Sequence, residues 1–429
     1  MRFLRIGICA LLAFAVLAHG GVEDWARAVF EAGAALLLVA WAVRLYFYSE
    51  EPLRIPALLL PLIAFGILAA LQWLFRSASP FATRAELLLF SADVILILLA
   101  AQAFRTIQDW RRLAWFVIVF GFLVSGFGIL QHLTFNGKLY WFREMTYGGI
   151  PFGPYVNRNH FAGFAELVIP LSLVPLILGK VRRERLASVA IFAVIPLAAL
   201  FLAASRGGLV SVFCEVTLLL LLLVVRHSLG KHALVGAAVL VLAFSLVSWI
   251  GVRQILSRFS SFQTLEVPEG KRASMRHGAW RMFLDYPVAG VGLGAFEAAY
   301  PPYETQYDGK IVNHAHNDYL EVLAETGVVG GLCCAWFLAV LFIASVKRIQ
   351  NPSSPFAGVL HLAGLTGCCG ILVHSLVDFN LHIPANAFLF LLMALLATVP
   401  ISAPEKLPAP DDRSVTVSKF HIHSARVPV

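Results

Sequence analysis

Charged residues are scarce in this sequence. Asp, Glu, Lys and Arg make up only 14% of its 429 positions, against 59% hydrophobic residues, and the mean hydropathy is +0.80. Soluble globular chains carry about a quarter charged residues. A chain this poor in charge has too little polar surface to face water, which excludes a soluble enzyme and a disordered protein. Cysteine is sparse as well. The six cysteines (Cys9, Cys214, Cys333, Cys334, Cys368, Cys369) all fall in apolar runs, and two pairs are adjacent. That excludes a disulfide framework and reads as small buried hydrophobes. No Walker A sequence is present and no internal repeat of the paired-transporter kind, so neither nucleotide chemistry nor a two-fold transporter is indicated. What remains is an integral membrane protein.

A bilayer core takes about 20 apolar residues per helix. Twelve such runs predict spans near 4–19, 26–47, 55–75, 86–104, 113–133, 161–179, 187–204, 208–225, 233–251, 319–346, 357–377 and 384–400. The net charge of +8 is informative through its arrangement. With Arg2 and Arg5 on the inner side, the alternate loops and the tail hold nineteen of the 33 Lys and Arg, against seven on short loops of the other face. Basic short loops resist translocation, so both termini are expected in the cytoplasm. The alternative for residues 1–19, a signal peptide ending at Ala18-His19-Gly20, would leave every later loop on the same side. The fold expected is all-α: a polytopic bundle of about twelve spans over residues 1–401, one large, partly helical outer loop at about 252–316, and a disordered cytoplasmic tail at 402–429.

The densest polar cluster closes that loop: Asn313-His314-Ala315-His316-Asn317-Asp318-Tyr319-Leu320-Glu321. Asp318, with Glu321 three residues on, reads as a helix N-cap and capping box. His316 then stands just ahead of a helix N-terminus at the membrane–water boundary. The positive helix end disfavours a second positive charge there, leaving an imidazole able to take a proton from a hydroxyl. Gly327 and Gly330 follow on the same helix, where small residues permit close helix packing. His314, His316, Asp318 and Glu321 lack a recognised zinc spacing, since ligands two apart belong on a strand; no metal site is expected.

Other outer segments carry cations. Ser205-Arg206-Gly207-Gly208 forms a tight turn whose guanidinium and bare backbone N–H groups suit a phosphate at a helix N-terminus. Arg276, with Arg272 and Arg281 beside it, precedes Tyr286-Pro287 and the run Gly290-Val291-Gly292-Leu293-Gly294. Without a βαβ context that run is no dinucleotide fingerprint. In Asn157-Arg158-Asn159-His160-Phe161, Asn159 is placed to cap a helix and Arg158 adds an outer cation. The segment from His374 through Asp378 to Asn386 closes the outer face between the last two runs; it is assigned no chemistry, and Asp378 is expected to pair with an outer arginine. Asp93, Glu166 and Glu215 lie within runs. Helix–helix hydrogen bonds or protonation would meet their cost in a bilayer; the other reading is a transporter's ion path.

The pattern His316-Asn317, nine residues, Gly327, two residues, Gly330 resembles the signature of the O-antigen ligase and polymerase superfamily of bacterial membrane glycan transferases. The Arg206 turn, the Arg276 loop with its glycines, and the Asn157–Phe161 stretch resemble further segments of that family. The resemblance implies transfer of a glycan from an undecaprenyl-diphosphate carrier, on the periplasmic side of the inner membrane. The acceptor is a hydroxyl on lipid A–core for a ligase, or on a second lipid-linked unit for a polymerase, and the His-Asn-x9-Gly form favours a ligase. It implies that Arg206 and Arg276 hold the diphosphate and that His316 deprotonates or orients the acceptor. Arg158, Asn159, His314, Asn317, Arg272 and Arg281 are further substrate-binding candidates. No cofactor, metal or nucleic acid is implied. A transporter of lipid-linked sugar or another solute is the alternative class.

Overall fold

The computed structural model describes residues 1–48, 52–144, 150–225 and 268–402, with isolated positions between 238 and 245. Its helices are α1 (Arg2–Leu17), α2 (Asp24–Phe47), α3 (Leu59–Phe75), α4 (Pro80–Ala103), α5 (Ile107–Leu133), α6 (Arg158–Ile177), α7 (Leu186–Ala203), α8 (Arg206–Val225), α9 (Glu269–Asp285), α10 (Asp318–Gln350), α11 (Pro355–His374) and α12 (Pro384–Thr398). Among the described residues there is no strand, only isolated bridges. Every predicted run lies on one of these helices except the ninth (233–251), which apart from those isolated positions falls outside the described residues, as do residues 252–267 and the tail beyond 402. Among the described residues seven helices are long and apolar enough to cross a membrane, while α3 and α12 are shorter apolar helices. The chain is a multi-pass membrane protein. α9 is additional: it lies in the long loop and is polar, and two short helical turns at Phe296–Ala299 and Pro301–Tyr303 follow it there.

Burial separates two kinds of apolar helix. α6 is enclosed along nearly its whole length by α5, α7, α8, α11 and α12. α2 and α10 leave large apolar side chains outside, including Leu36, Val39, Leu332 and Ile343. A helix apolar all round is buried or faces lipid, and here the two alternatives divide between α6 and these outer helices. Glycines let α11 approach its neighbours: a Cβ on Gly364 would come within 2.7 Å of the Met393 carbonyl of α12, and one on Gly367 within 3.3 Å of Leu167 Cα of α6. Close backbone approach is the usual basis of helix association in lipid. All six cysteines are free, but only Cys368 is fully buried and Cys214 is exposed on α8. An apolar run contains outward faces too, so the expectation of uniform burial is corrected.

The two ends of the bundle have distinct polar seams. At one end Arg5 pairs with Asp109, the Ile107 N–H donates to the Ser402 carbonyl at 3.2 Å, and Arg348 Nε donates to the Thr398 carbonyl at 3.2 Å. At the other, Arg143 pairs with Glu23, Arg27 with Glu86, and the Asp318 N–H donates to the Ser375 carbonyl at 3.0 Å. The segments joined in these contacts are those expected inside at the first end and outside at the second.

One helix is interrupted at the second end. Gly327 breaks α10 with φ 62° and ψ −165°, a conformation essentially reserved for glycine. The loop after α9 wedges into the break: Val328 and Val329 N–H donate to the carbonyls of Pro287 and Val288, and Val291 and Gly292 N–H donate to those of Ala324 and Glu325. Gln72 of α3 adds side-chain donors to Ala289 and Glu325 carbonyls at 2.5 and 2.7 Å. A Cβ on Gly327 would lie 2.4 Å from Val288 backbone, and one on Gly290 2.2 Å from Glu325 backbone. Gly327 is thus a docking notch rather than the general helix-packing position that its spacing implies, and irregular backbone is tolerated here because protein satisfies its polar groups. Gly327→Ala is expected to lower the stability of the detergent-solubilised protein by about 1–3 kcal/mol, whereas Gly270→Ala, where a Cβ meets nothing within 4 Å, should be neutral. Thermal unfolding of the two variants side by side checks this; equal melting would refute the wedge.

Candidate functional site

Three separate chain segments meet at the second end around Asp378, in the turn between α11 and α12. The carboxylate is buried. Its Oδ1 accepts from His316 Nδ1 at 3.2 Å and from the Phe379 N–H at 2.9 Å, and its Oδ2 accepts from Asn159 Nδ2 at 2.5 Å. The expected arginine partner is replaced by an imidazole and an amide, because the turn enters the bundle against α6 and the loop before α10. Burial alone would raise the Asp378 carboxyl; the hydrogen bond from His316, with His160 and His374 close by, outweighs it and holds the group well below the usual carboxylate range.

Local backbone chemistry explains how His316 is presented. The residue has φ 52°, the left-handed region that is costly for a side chain with a Cβ. Asn317 follows as the N-cap of α10, its side chain accepting from the Leu320 N–H at 2.9 Å and donating to the Leu376 carbonyl at 2.8 Å. Asn317 thus caps the helix in place of Asp318, and Glu321 makes no capping box. Asn157, not Asn159, likewise caps α6, which frees the Asn159 side chain for Asp378. Phe379 is a platform for imidazoles: His314 stacks on it at 4.1 Å, while His316 and His160 meet it edge-on at 5.0 and 4.8 Å.

The acids freed from capping brace this arrangement. Glu321 is buried and accepts from His314 Nδ1 at 2.6 Å and the Ala315 N–H at 2.7 Å. Asp318 accepts from His382 Nδ1 at 2.7 Å and from the Leu381 N–H at 3.2 Å. The loop carrying His316 and the turn carrying Asp378 are thereby tied to the same helix end. His314, Glu321 and His382 each present a ligand atom within 4.8 Å of the others, the spacing a metal ion would require. His382 joins from a distant segment and His316 takes no part, so the trio differs from the set considered in sequence. Hydrogen bonds already engage each member, and the pairs read as a network of charges. Burial alone would lower the His382 imidazole, but Glu321 and Asp318 push it up to about 10.

Beside Asp378 lies a cavity of about 640 Å³ whose polar wall includes Asn159, Arg206, Glu269, Arg272, His374 and Asp378. Arg206 begins α8, where the Ser205 hydroxyl accepts from the Gly208 N–H at 3.2 Å. Arg272, one turn into α9, reaches the cavity, and its Nε has no hydrogen-bond partner among the described residues. Arg276 is instead engaged by Glu269 at 2.8 Å, which draws the Glu269 carboxyl below its ordinary value, with burial opposing. Arg281 is exposed further along α9, and Arg158 is buried at the start of α6. The structure therefore gathers Arg206, Arg272, Asn159 and, through Asp378, His316. Arg276 stands one ion pair behind. The sequence singled out the segment holding His374, Asp378, Phe379 and His382 but assigned it no chemistry; the polar residues crowded into 374–386 were the available signal.

Fold and site define a multi-pass membrane protein with a cation-lined cavity beside a His–Asp pair. Residues 191–335 match the family model described as O-antigen ligase, a similarity that bears out the resemblance. It includes Arg206, Arg272, Arg276 and His316; Asn159, His374 and Asp378 lie outside it. No curated protein matches the chain.

The His382 environment fixes a pH dependence. Its folded-state value of about 10 lies above the ordinary 6.5, so the folded protein holds this proton more tightly than the unfolded chain. The corresponding stability is complete below about 6.5 and is lost as pH rises towards 10. Melting temperature in detergent should fall across that window, and in His382→Gln the fall should flatten. An unchanged slope in the variant would contradict the assignment.

Proposed function

We propose that the protein transfers a glycan from an undecaprenyl-diphosphate carrier to an acceptor hydroxyl, on the periplasmic side of the bacterial inner membrane and with both termini cytoplasmic. The observation that carries this reading is that Asp378, the hydrogen-bond partner of His316, lines the same cavity as Arg206 and Arg272.

In this reaction His316 takes the proton of the acceptor hydroxyl as its oxygen attacks the anomeric carbon, and the carbon–oxygen bond to the diphosphate breaks. Asp378 fixes the ring through Nδ1, leaving Nε2 as the basic atom, and stabilises the imidazolium that forms. Asn159 and the Phe379 N–H hold the carboxylate in turn. Arg206 and Arg272 neutralise the departing diphosphate, with Arg276 acting through Glu269. Fixed cations at the point where charge develops are the largest single source of rate enhancement in such sites. His314 and Asn317 shape the acceptor side, and Arg158 and Arg281 lie at the margins.

A ligase and a polymerase use the same chemistry and differ in acceptor; the His-Asn-x9-Gly form supports the ligase. The transporter alternative needs a connected set of acids in the membrane. Glu166 and Glu215 are neighbours, but Glu166 bonds His374 and Glu215 packs at Gly370, while Asp93 lies apart on α4 with Glu86 as its charged neighbour.

His316→Ala and Arg206→Ala should each reduce in vitro transfer from a defined polyprenyl-diphosphate oligosaccharide by at least 100-fold, the scale of general-base and oxyanion contributions. Glu215→Gln should remain active. Loss with Glu215→Gln and silence at both outer positions would favour the transporter. Offering lipid A–core and a second lipid-linked unit in competition separates ligase from polymerase.

The reaction is proposed to be metal-independent, with the His314–Glu321–His382 trio held by hydrogen bonds. Purified protein treated with chelator should keep its transfer rate. Loss on chelation with recovery on adding a divalent ion would assign the trio to a metal instead.

A further inference from the structure

The cavity wall contains an imidazole that the mechanism above leaves unused. His374, the last residue of α11, is buried, and its Nδ1 donates to Glu166 Oε1 at 2.8 Å. Glu166 is itself fully buried on α6, and its other oxygen has no partner among the described residues. The imidazole is therefore the one hydrogen-bonding group found on this carboxylate, a charge-assisted pair shielded from water. The opposite edge of the ring faces the Arg206 turn. A Cβ on Gly207 would lie 2.5 Å from His374 Nε2, and one on Gly208 3.1 Å from Glu166 Oε1. The two glycines after Arg206 thus make room for this pair. Their role as bare N–H donors to a phosphate, expected from sequence, is not needed to explain them.

We propose that His374, held by Glu166, is a third cationic donor for the diphosphate, presenting Nε2–H beside Arg206 and Arg272. This rests on the glycan-transfer reading and deepens it. The charge ledger of the wall supports the assignment. Arg206 and Arg272 share the cavity with Glu269, whose charge is met from behind by Arg276, and with Asp378, which is hydrogen-bonded to His316. Two guanidinium groups match a diphosphate diester, which carries about two negative charges. Once the glycan has left, the terminal phosphate gains a second ionisation and the charge approaches three, because that ionisation falls near pH 6. Glu166 balances the charge of the imidazolium, so His374 adds a fixed N–H donor whose hydrogen bond strengthens as the terminal phosphate ionises, which is the condition for accelerating transfer.

The test uses the full-length protein in detergent, with inorganic pyrophosphate and undecaprenyl diphosphate as inhibitors of transfer. His374→Gln and Glu166→Gln should each raise the inhibition constants of both by roughly 10- to 100-fold, the range for one hydrogen bond to a charged group. The KM for acceptor should stay unchanged. Gly207→Ala, which displaces the ring, should act in the same direction. Inhibition constants unchanged in folded Glu166→Gln and Gly207→Ala, while Arg206→Ala shifts them, would overturn the proposal and leave the transfer reading intact. Equal changes in both substrates' KM values would mark a purely structural pair and also overturn it. Failure of either diphosphate to inhibit the wild-type protein would refute the transfer reading itself.

Discussion

A single buried carboxylate organises the polar end of this bundle. A charge removed from water must be compensated by donors at fixed positions, or its burial costs several kcal/mol. Asp378 recruits its donors from three places: Asn159 at the head of α6, His316 ahead of α10, and the Phe379 N–H of its own turn. Each donor is separately locked, by the Asn157 cap, the Asn317 cap and the Phe379 platform. The requirement that one carboxylate be satisfied thus fixes the orientation of an imidazole whose backbone conformation is unfavourable. Strain at His316 persists because the surroundings over-determine it.

The interrupted helix solves a related problem. Breaking α10 at Gly327 frees carbonyl and N–H groups close to the membrane, where unsatisfied backbone is expensive. The loop after α9 supplies the complementary groups, and its own glycines supply the necessary conformations at Gly290 and Gly292. Two glycine-bearing motifs that look independent in sequence are two halves of one junction. Through it the loop that carries Arg272 is registered against the helix that begins beside His316.

The spans were legible because a bilayer demands long apolar runs, and hydropathy reports that demand directly. Within the site, legibility followed sequence distance. His316 could be singled out because Asn317 and Gly327 lie beside it, whereas Asp378 is sixty-two residues away and its neighbours read as an ordinary turn. Capping went to Asp318 and Asn159 by residue preference, but Asn317 and Asn157 are the caps. Asp and Asn serve equally as N-caps, so preference alone could not separate neighbouring positions. Arg272 and Arg276 lie one helical turn apart on the same face of α9. Which of them meets the cavity depends on how Glu269 is placed, a tertiary fact that charge patterning does not contain.

The layering of charge around the cavity has a mechanistic consequence under the proposed reaction. Glu269 and Asp378 face the same space as the guanidinium groups, an arrangement that would repel an anion if the carboxylates were uncompensated. Each is paired from behind, Glu269 by Arg276 and Asp378 by His316. These pairs differ in kind. Arg276 carries its charge throughout, so the field from Glu269 is constant. Under the proposed reaction His316 takes up the acceptor's proton, and the imidazolium so formed cancels the negative field of Asp378 within the cavity. The cavity thus becomes more positive as the diphosphate accumulates negative charge, so proton transfer on one side of Asp378 favours departure of the leaving group on the other. A carboxylate shared between base and anion site couples two bond changes that occur on different molecules, and it does so without movement of the chain.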